Sequence, residues 1–301
     1  MTTPNHQFPK GFTGATASAA IKKPGRQDMA LIVCEEGATA AGMFTKNLVC
    51  AAPLQLSKRH LIESRGHASA ILINSGCANA ATGAEGLARA VECVDAVARG
   101  LDIAAESVLV NSTGVIGVQP PIERMLPQIP ALLASLKGGD LLPVAQAIMT
   151  TDTYHKTAQV VVEHEGRTAI VSGMAKGAGM IHPDMSPPQA TMISVLMTDA
   201  EVDPASLQAM LHRSVDQSFH RISIDGDTFR QLVHQNIAPG QPLKLMPYHA
   251  ALAAAPAPGV LISELGRVFR GRGELAGSYS HADREWVDQV LSVDHGYNGF
   301  L

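Results

Sequence analysis

Apolar positions recur along this chain in two periods. Short runs such as MALIVC at 29–34, AILIN at 70–74 and VLVN at 108–111 have the length and composition of single strands, and segments with helical spacing lie between them. In EGLARAVECVDAVARGL, residues 85–101, Leu87, Val91, Val94 and Ala98 fall on one helical face, and Gly100 stands beside its end. A second helix is predicted over 204–217, with Asp203 as N-cap, Pro204 at the first helical position, and Leu207, Met210 and Leu211 on one side. Strands over 158–163 and 168–172, joined through Glu165 and Gly166, read as a hairpin, and a further strand is predicted over 191–197. Strands alternating with helices in this way predict an α/β chain.

The pattern changes after about residue 236, where proline, alanine and glycine concentrate without periodicity and read as a linker or poorly ordered stretch, with one short helix expected over 282–291 carrying Trp286 and Val290. A length of 301 residues allows one large compound domain or two smaller ones. With 46% hydrophobic and 17% charged residues the chain is a globule rather than a disordered polymer, and 4% aromatic content predicts an aliphatic core. The net charge of -4 and scattered basic residues argue against a nucleic-acid partner. No stretch reaches the roughly 18 apolar residues of a membrane span, and MTTPNHQFPK lacks an apolar signal core, so a cytoplasmic location is expected. Cys34, Cys50, Cys77 and Cys93 show no C-x-x-C spacing and read as buried reduced thiols. None of the twelve histidines forms an H-x-x-x-H pair, so no metal is expected.

Three segments carry candidate chemistry. KGAGMIHPDM at 176–185, followed by Gln189, Ala190, Thr191 and Met192, places a lysine and a glycine turn before an Ala–Thr bond. A threonine hydroxyl needs a base beside it, and an N-terminal threonine supplies its own α-amine, but only after the preceding peptide is cut. The plainer reading makes Thr191 the first residue of the apolar strand TMISVLM. Ser-Thr-Gly at 112–114 follows VLVN, where the Gly114 N–H and the Thr113 hydroxyl would face a developing oxyanion, or else form an ordinary strand-to-loop turn. TTDTYHK at 150–156 gathers polar groups suited to a zwitterionic amino acid, or to capping and linking helices.

Together these pieces resemble one family. Gly-Phe at 11–12, AGMFTKN at 41–47, AAP at 51–53, NSGCANAATG at 74–83, STGVIG at 112–117, AIMTTDT at 147–153, KGAGMIHPDM, ATM, TDA at 198–200 and SFHRISIDGDT at 218–228 follow the order of the ornithine acetyltransferases, also called glutamate N-acetyltransferases. These are self-processing N-terminal nucleophile proteins of the DmpA-like superfamily, and the resemblance covers roughly residues 11–228. It implies a layered helix-sheet-sheet-helix fold and ping-pong transfer of acetyl from N-acetylornithine to glutamate in arginine biosynthesis. It further implies Thr191 as nucleophile, cleavage between Ala190 and Thr191, an oxyanion hole at Thr113 and Gly114, and substrate contacts from Thr153, Lys176 and Thr191. No metal or organic cofactor is implied. Some members also take acetyl-coenzyme A as donor, and this sequence leaves that choice open. Residues 1–190 and 191–301 would be the two chains of an assembly of two α and two β chains.

The chain departs from the family at two places. SPPQ at 186–189 adds about four residues before Ala190, and after DGDT at 225–228 the similarity stops, leaving 229–301 divergent and no family glutamate or asparagine to carry over. Two rivals therefore stand beside acetyl transfer. One is a hydrolase or amidase using the same threonine; the other is an uncleaved, inactive relative with a binding role.

Overall fold

The computed structural model describes residues 6–45, 50–164, 166–179 and 192–222. Their elements run β1 (Phe12–Ala17), β2 (Met29–Thr39), α1 (Ala52–Glu63), β3 (His67–Cys77), α2 (Gly83–Leu101), β4 (Val108–Val115), α3 (Ile122–Met125), α4 (Ile129–Ala134), α5 (Leu142–Ala147), β5 (Lys156–His164), β6 (Arg167–Lys176), β7 (Ile193–Thr198) and α6 (Pro204–Asp216). Expectations for the helix at 282–291 and for the stretch after 236 lie outside the described residues.

The strands form two sheets, ordered β1-β2-β3-β4 and β5-β6-β7. In the first, β1, β2 and β3 are antiparallel neighbours, and β4 joins β3 in parallel. A parallel pair needs a long crossover. Helix α2 supplies it, extending two residues beyond the predicted start, and Asp102 in the left-handed region ends it. The alternation of β2 sends Met29, Leu31 and Val33 to one face, where they meet Cys93, Val94 and Val97 of α2. Ala30 and Ile32 point the other way, into a second core with Ile73, Met174, Ile193, Val195 and Met197. The result is a helix layer, a four-stranded sheet and a three-stranded sheet in succession, an α/β layered fold of the kind expected.

The predicted hairpin is β5–β6, paired from Lys156↔Ala175 to His164↔Arg167, and both strands are longer than the apolar runs suggested. Asp203 caps α6 through its carboxylate, which accepts from the Ser206 N–H at 3.0 Å. The thiols differ from the uniform expectation: Cys77 and Cys93 are buried, whereas Cys34 and Cys50 are only partly so. Burial pushes the Cys93 thiol up to about 12, with nearby Glu92 adding to the effect, so this cysteine is an inert core residue. No helix among the described residues is long and apolar enough to cross a membrane.

Candidate active site

The site is built at the C-terminal end of β4, the edge strand of the larger sheet. An exposed edge leaves backbone groups without a ladder partner, and α1 supplies partners from its buried face. The Ser57 hydroxyl donates to the Val110 carbonyl and accepts from the Val110 N–H, each at 2.7 Å. The His60 Nδ1–H donates to the Val108 carbonyl at 2.8 Å. β4 is thereby held on both sides, and its last residues are aimed reproducibly.

Those residues are Ser112, Thr113 and Gly114. The sequence predicts a strand over 108–111 followed by a turn, whereas the strand continues to Val115 and contains all three. Thr113 lies opposite Ser75 and Gly114 opposite Gly76 before the register shifts at Cys77. The shift follows from two glycines meeting, with φ of +133° at Gly114 and +105° at Gly76. A Cβ on Gly114 would lie 2.3 Å from the Gly76 carbonyl carbon, so no side chain fits there. Asn74 braces the same junction: its Nδ2 donates to the Cys77 carbonyl at 2.9 Å and its Oδ1 accepts from the Ser112 hydroxyl at 2.6 Å.

From the second sheet, β6 ends at Lys176, whose Nζ donates to Thr113 Oγ1 at 3.1 Å. Lys176 is 3% exposed. Burial lowers its pKa, Asp152 opposes that, and Lys156 and Arg26 add to it, leaving a value of about 8. Asp152 is itself buried. Its Oδ1 accepts from Lys156 Nζ at 2.7 Å and from the Gly177 N–H at 2.7 Å, and its Oδ2 from the Thr150 N–H at 3.1 Å. Burial alone would raise the Asp152 carboxyl. Attraction to Lys156 and Lys176, with hydrogen bonds from Lys156 and Gly177, brings it below its ordinary value. Lys156 in turn stands 5.0 Å from the Tyr154 ring centroid.

Thr113 and Gly114 open onto a cavity of about 1150 Å³ between the two sheets and α6, whose wall also includes Asn111, Met192 and Met210. The predicted site residues are thus distributed as follows. Thr113, Gly114 and Lys176 are brought together, with Lys176 behind Thr113 rather than in the wall. Thr153 is exposed on the loop before β5, next to Asp152. Ala190 and Thr191 lie outside the described residues, but Met192, the next residue, belongs to the cavity wall. Among the described residues no group of three His, Cys, Asp or Glu side chains is placed to hold a metal ion. Sequence reasoning did not assign Asp152, Lys156, Asn74 or Gly76. Asp152 and Lys156 at i,i+4 inside TTDTYHK were the available signal for the first pair; the glycine contact across two strands had none.

The model of the ArgJ family matches residues 13–241. The arginine biosynthesis bifunctional protein ArgJ of Thermosynechococcus vestitus is 47% identical over 73% of this chain and 51% of its own length, and that of Chlorobaculum tepidum 46% identical over 73% and 54%. The chain spans about half the length of the curated relatives it matches. Among solved structures, the ArgJ protein of Bacillus halodurans superposes with a TM-score of 0.55 at 36% identity, covering 58% of this chain and 91% of that one. Ornithine acetyltransferase of Mycobacterium tuberculosis complexed with ornithine gives 0.52 at 37% identity, covering 58% and 93%. Matched by the family model over most of its length and by relatives well above 40% identity, the chain belongs to the ArgJ family.

Proposed function

We propose that the chain transfers an acetyl group from N-acetylornithine to glutamate, in arginine biosynthesis, through an acyl-threonine on Thr191 released by cleavage of the Ala190–Thr191 bond. The Thr191 hydroxyl attacks the acetamide carbonyl while its own α-amine takes the proton. The carbonyl oxygen becomes an oxyanion, which the Gly114 N–H and the Thr113 hydroxyl stabilise. Collapse breaks the C–N bond, the proton passes to the departing nitrogen, and ornithine leaves an acetyl ester on Thr191. The glutamate amine then attacks that ester by the reverse sequence, giving N-acetylglutamate. Lys176 adds a positive charge behind Thr113, and Thr153 is assigned to substrate contact. This chemistry needs no metal or organic cofactor, and the two chains are expected to assemble as two α and two β.

The observation that carries the reading is the contact of Lys176 Nζ with Thr113 Oγ1, 3.1 Å, beside a glycine that no other residue can replace, at the wall of a cavity that also contains the residue following Thr191. The test combines intact mass with an assay of ornithine release. Two fragments meeting at Ala190/Thr191, with release that depends on glutamate, are expected, and Thr191→Ala should abolish both. Equal release in buffer alone would instead mark a hydrolase, and a single full-length species without turnover would mark an inactive relative.

A further inference from the structure

We infer that Asp152 is a positioning residue of this site: its carboxylate ties the 150–156 loop to the backbone just after Lys176 and keeps the Lys176 ammonium on Thr113, so that the Thr113 hydroxyl proton is directed toward the cavity. The consequence for turnover rests on the acyl-transfer reading, whereas the clamp itself does not.

The Asp152 side chain is fully buried, with 0% exposure. A carboxylate in such a place must be satisfied, and its three acceptor contacts come from separate parts of the fold: the Thr150 N–H within its own loop, Lys156 at the start of β5 and the Gly177 N–H at the end of β6. The last bond spans 25 residues and fixes the backbone unit attached to Lys176. Lys176 carries the clamp across to β4.

Donor and acceptor rules give this a functional meaning. An ammonium has three donors and no acceptor, so in the 3.1 Å contact Thr113 Oγ1 must accept. The hydroxyl's own proton then points away from Nζ, which leaves it available to an acceptor in the cavity that Thr113 lines. A neutral amine could instead accept that proton, turning the hydroxyl away from an oxyanion. The charge on Lys176 therefore decides the direction of the Thr113 O–H. Three charged groups act on it: Asp152 favours the ammonium, while Lys156 from β5 and Arg26 from the segment between β1 and β2 oppose it. Arg26 is anchored by donation to the Met149 carbonyl.

The experiment follows the Lys176 side chain directly, by NMR titration of the full chain carrying lysine labelled with ¹³C at Cε, the signal assigned by its loss in Lys176→Arg. Alongside it, kcat and KM are recorded against pH. Asp152→Asn should move the Lys176 midpoint, and the alkaline limb of kcat with it, to lower pH by about one unit or more, with KM changing less than kcat. Asp152→Glu, which restores the charge, should recover part of the shift. Lys156→Met removes a competing cation at a partly exposed position and should move the midpoint the opposite way. This second variant keeps the proposal testable if Asp152→Asn does not fold. A folded Asp152→Asn variant with the wild-type midpoint, or a Lys156→Met midpoint that falls or stays, would overturn the clamp. Absence of acetyl transfer in the wild type, with both midpoints moving as expected, would overturn the acyl-transfer reading and leave the clamp standing.

Discussion

Gly114 and Gly117 both have positive φ, at +133° and +79°, yet they respond to different constraints. A Cβ at Gly117 would meet nothing within 4 Å, whereas at Gly114 it would enter the Gly76 backbone. Gly117→Ala should therefore cost only left-handed strain, about 1–2 kcal/mol. Gly114→Ala must also push β3 and β4 apart at the site and should cost at least about 3 kcal/mol, with loss of transfer. Urea midpoints of the two variants check this, and equal destabilisation would remove the close approach as its cause. Lys176 gives a second prediction. Its folded pKa, about 8, lies below the ordinary lysine value of 10.5, so the unfolded chain binds more protons between these values and stability rises with pH across that window. Lys176→Met lacks this penalty. The variant should gain up to about 3 kcal/mol relative to wild type below pH 8, from about 1.4 kcal/mol per pKa unit, and the gain should vanish toward pH 10.5. Asp152 keeps Lys156 and two backbone N–H partners in that variant, so no uncompensated charge is created. Thermal melts from pH 7 to 10.5 measure the gap, and a gap independent of pH would contradict the buried-ammonium account. Activity should fall at all pH values. At this scale the sequence named Thr113, Gly114 and Lys176 through family motifs. It did not name Asp152, because an aspartate among threonines reads equally as a cap, and only the fold places it against Gly177.

Among the elements, the edge of β4 shows how a helix can stand in for a missing strand. Ser57 and His60 are one turn apart on α1, and together they satisfy three backbone groups of β4. Ser57→Ala would leave the buried Val110 N–H and C=O without that partner, at about 2–4 kcal/mol for the two groups. It should also lower transfer, because Thr113 and Gly114 lie three and four residues further along the same strand. Denaturant unfolding together with kcat checks both effects, and an unfolding midpoint within error of wild type would show that the edge finds other partners. Nothing local announces this pairing. A serine and a histidine on a helix whose other residues are mixed read as surface groups until the strand behind them is known. By contrast α2 and α6 were legible, since Leu87, Val91 and Val94 repeat with helical period, and the Asp203-Pro204 start has one physical meaning. The short helices α3, α4 and α5 and the strand β1 were not, because four to six residues hold too little periodicity to separate them from loops.

For the whole molecule, the proposed cleavage falls between the two halves of one sheet. β6 precedes the junction and β7 follows it, yet they pair from Val171↔Thr198 to Lys176↔Ile193. Ile193, Val195 and Met197 are buried in the core between the sheets, and Val215, Phe219 and Ile222 are buried further along the same half. The three on β7, which pack against residues that precede the junction, are worth roughly 4.5–9 kcal/mol at about 1.5–3 each. Holding two separate chains together costs about 4–15 kcal/mol, and the strand ladder adds to the favourable side. Loss of β7 would also reduce the sheet to a two-stranded ribbon, which is marginal alone in water. Breaking the Ala190–Thr191 bond should therefore leave the molecule in one piece. With an affinity tag at residue 1, the fragment beginning at Thr191 should co-purify in native buffer and separate only in strong guanidinium chloride. Its appearance in the native wash would mean that β7 and the segment after it do not carry enough buried surface to hold the halves together, and that the proposed nucleophile would be lost on cleavage.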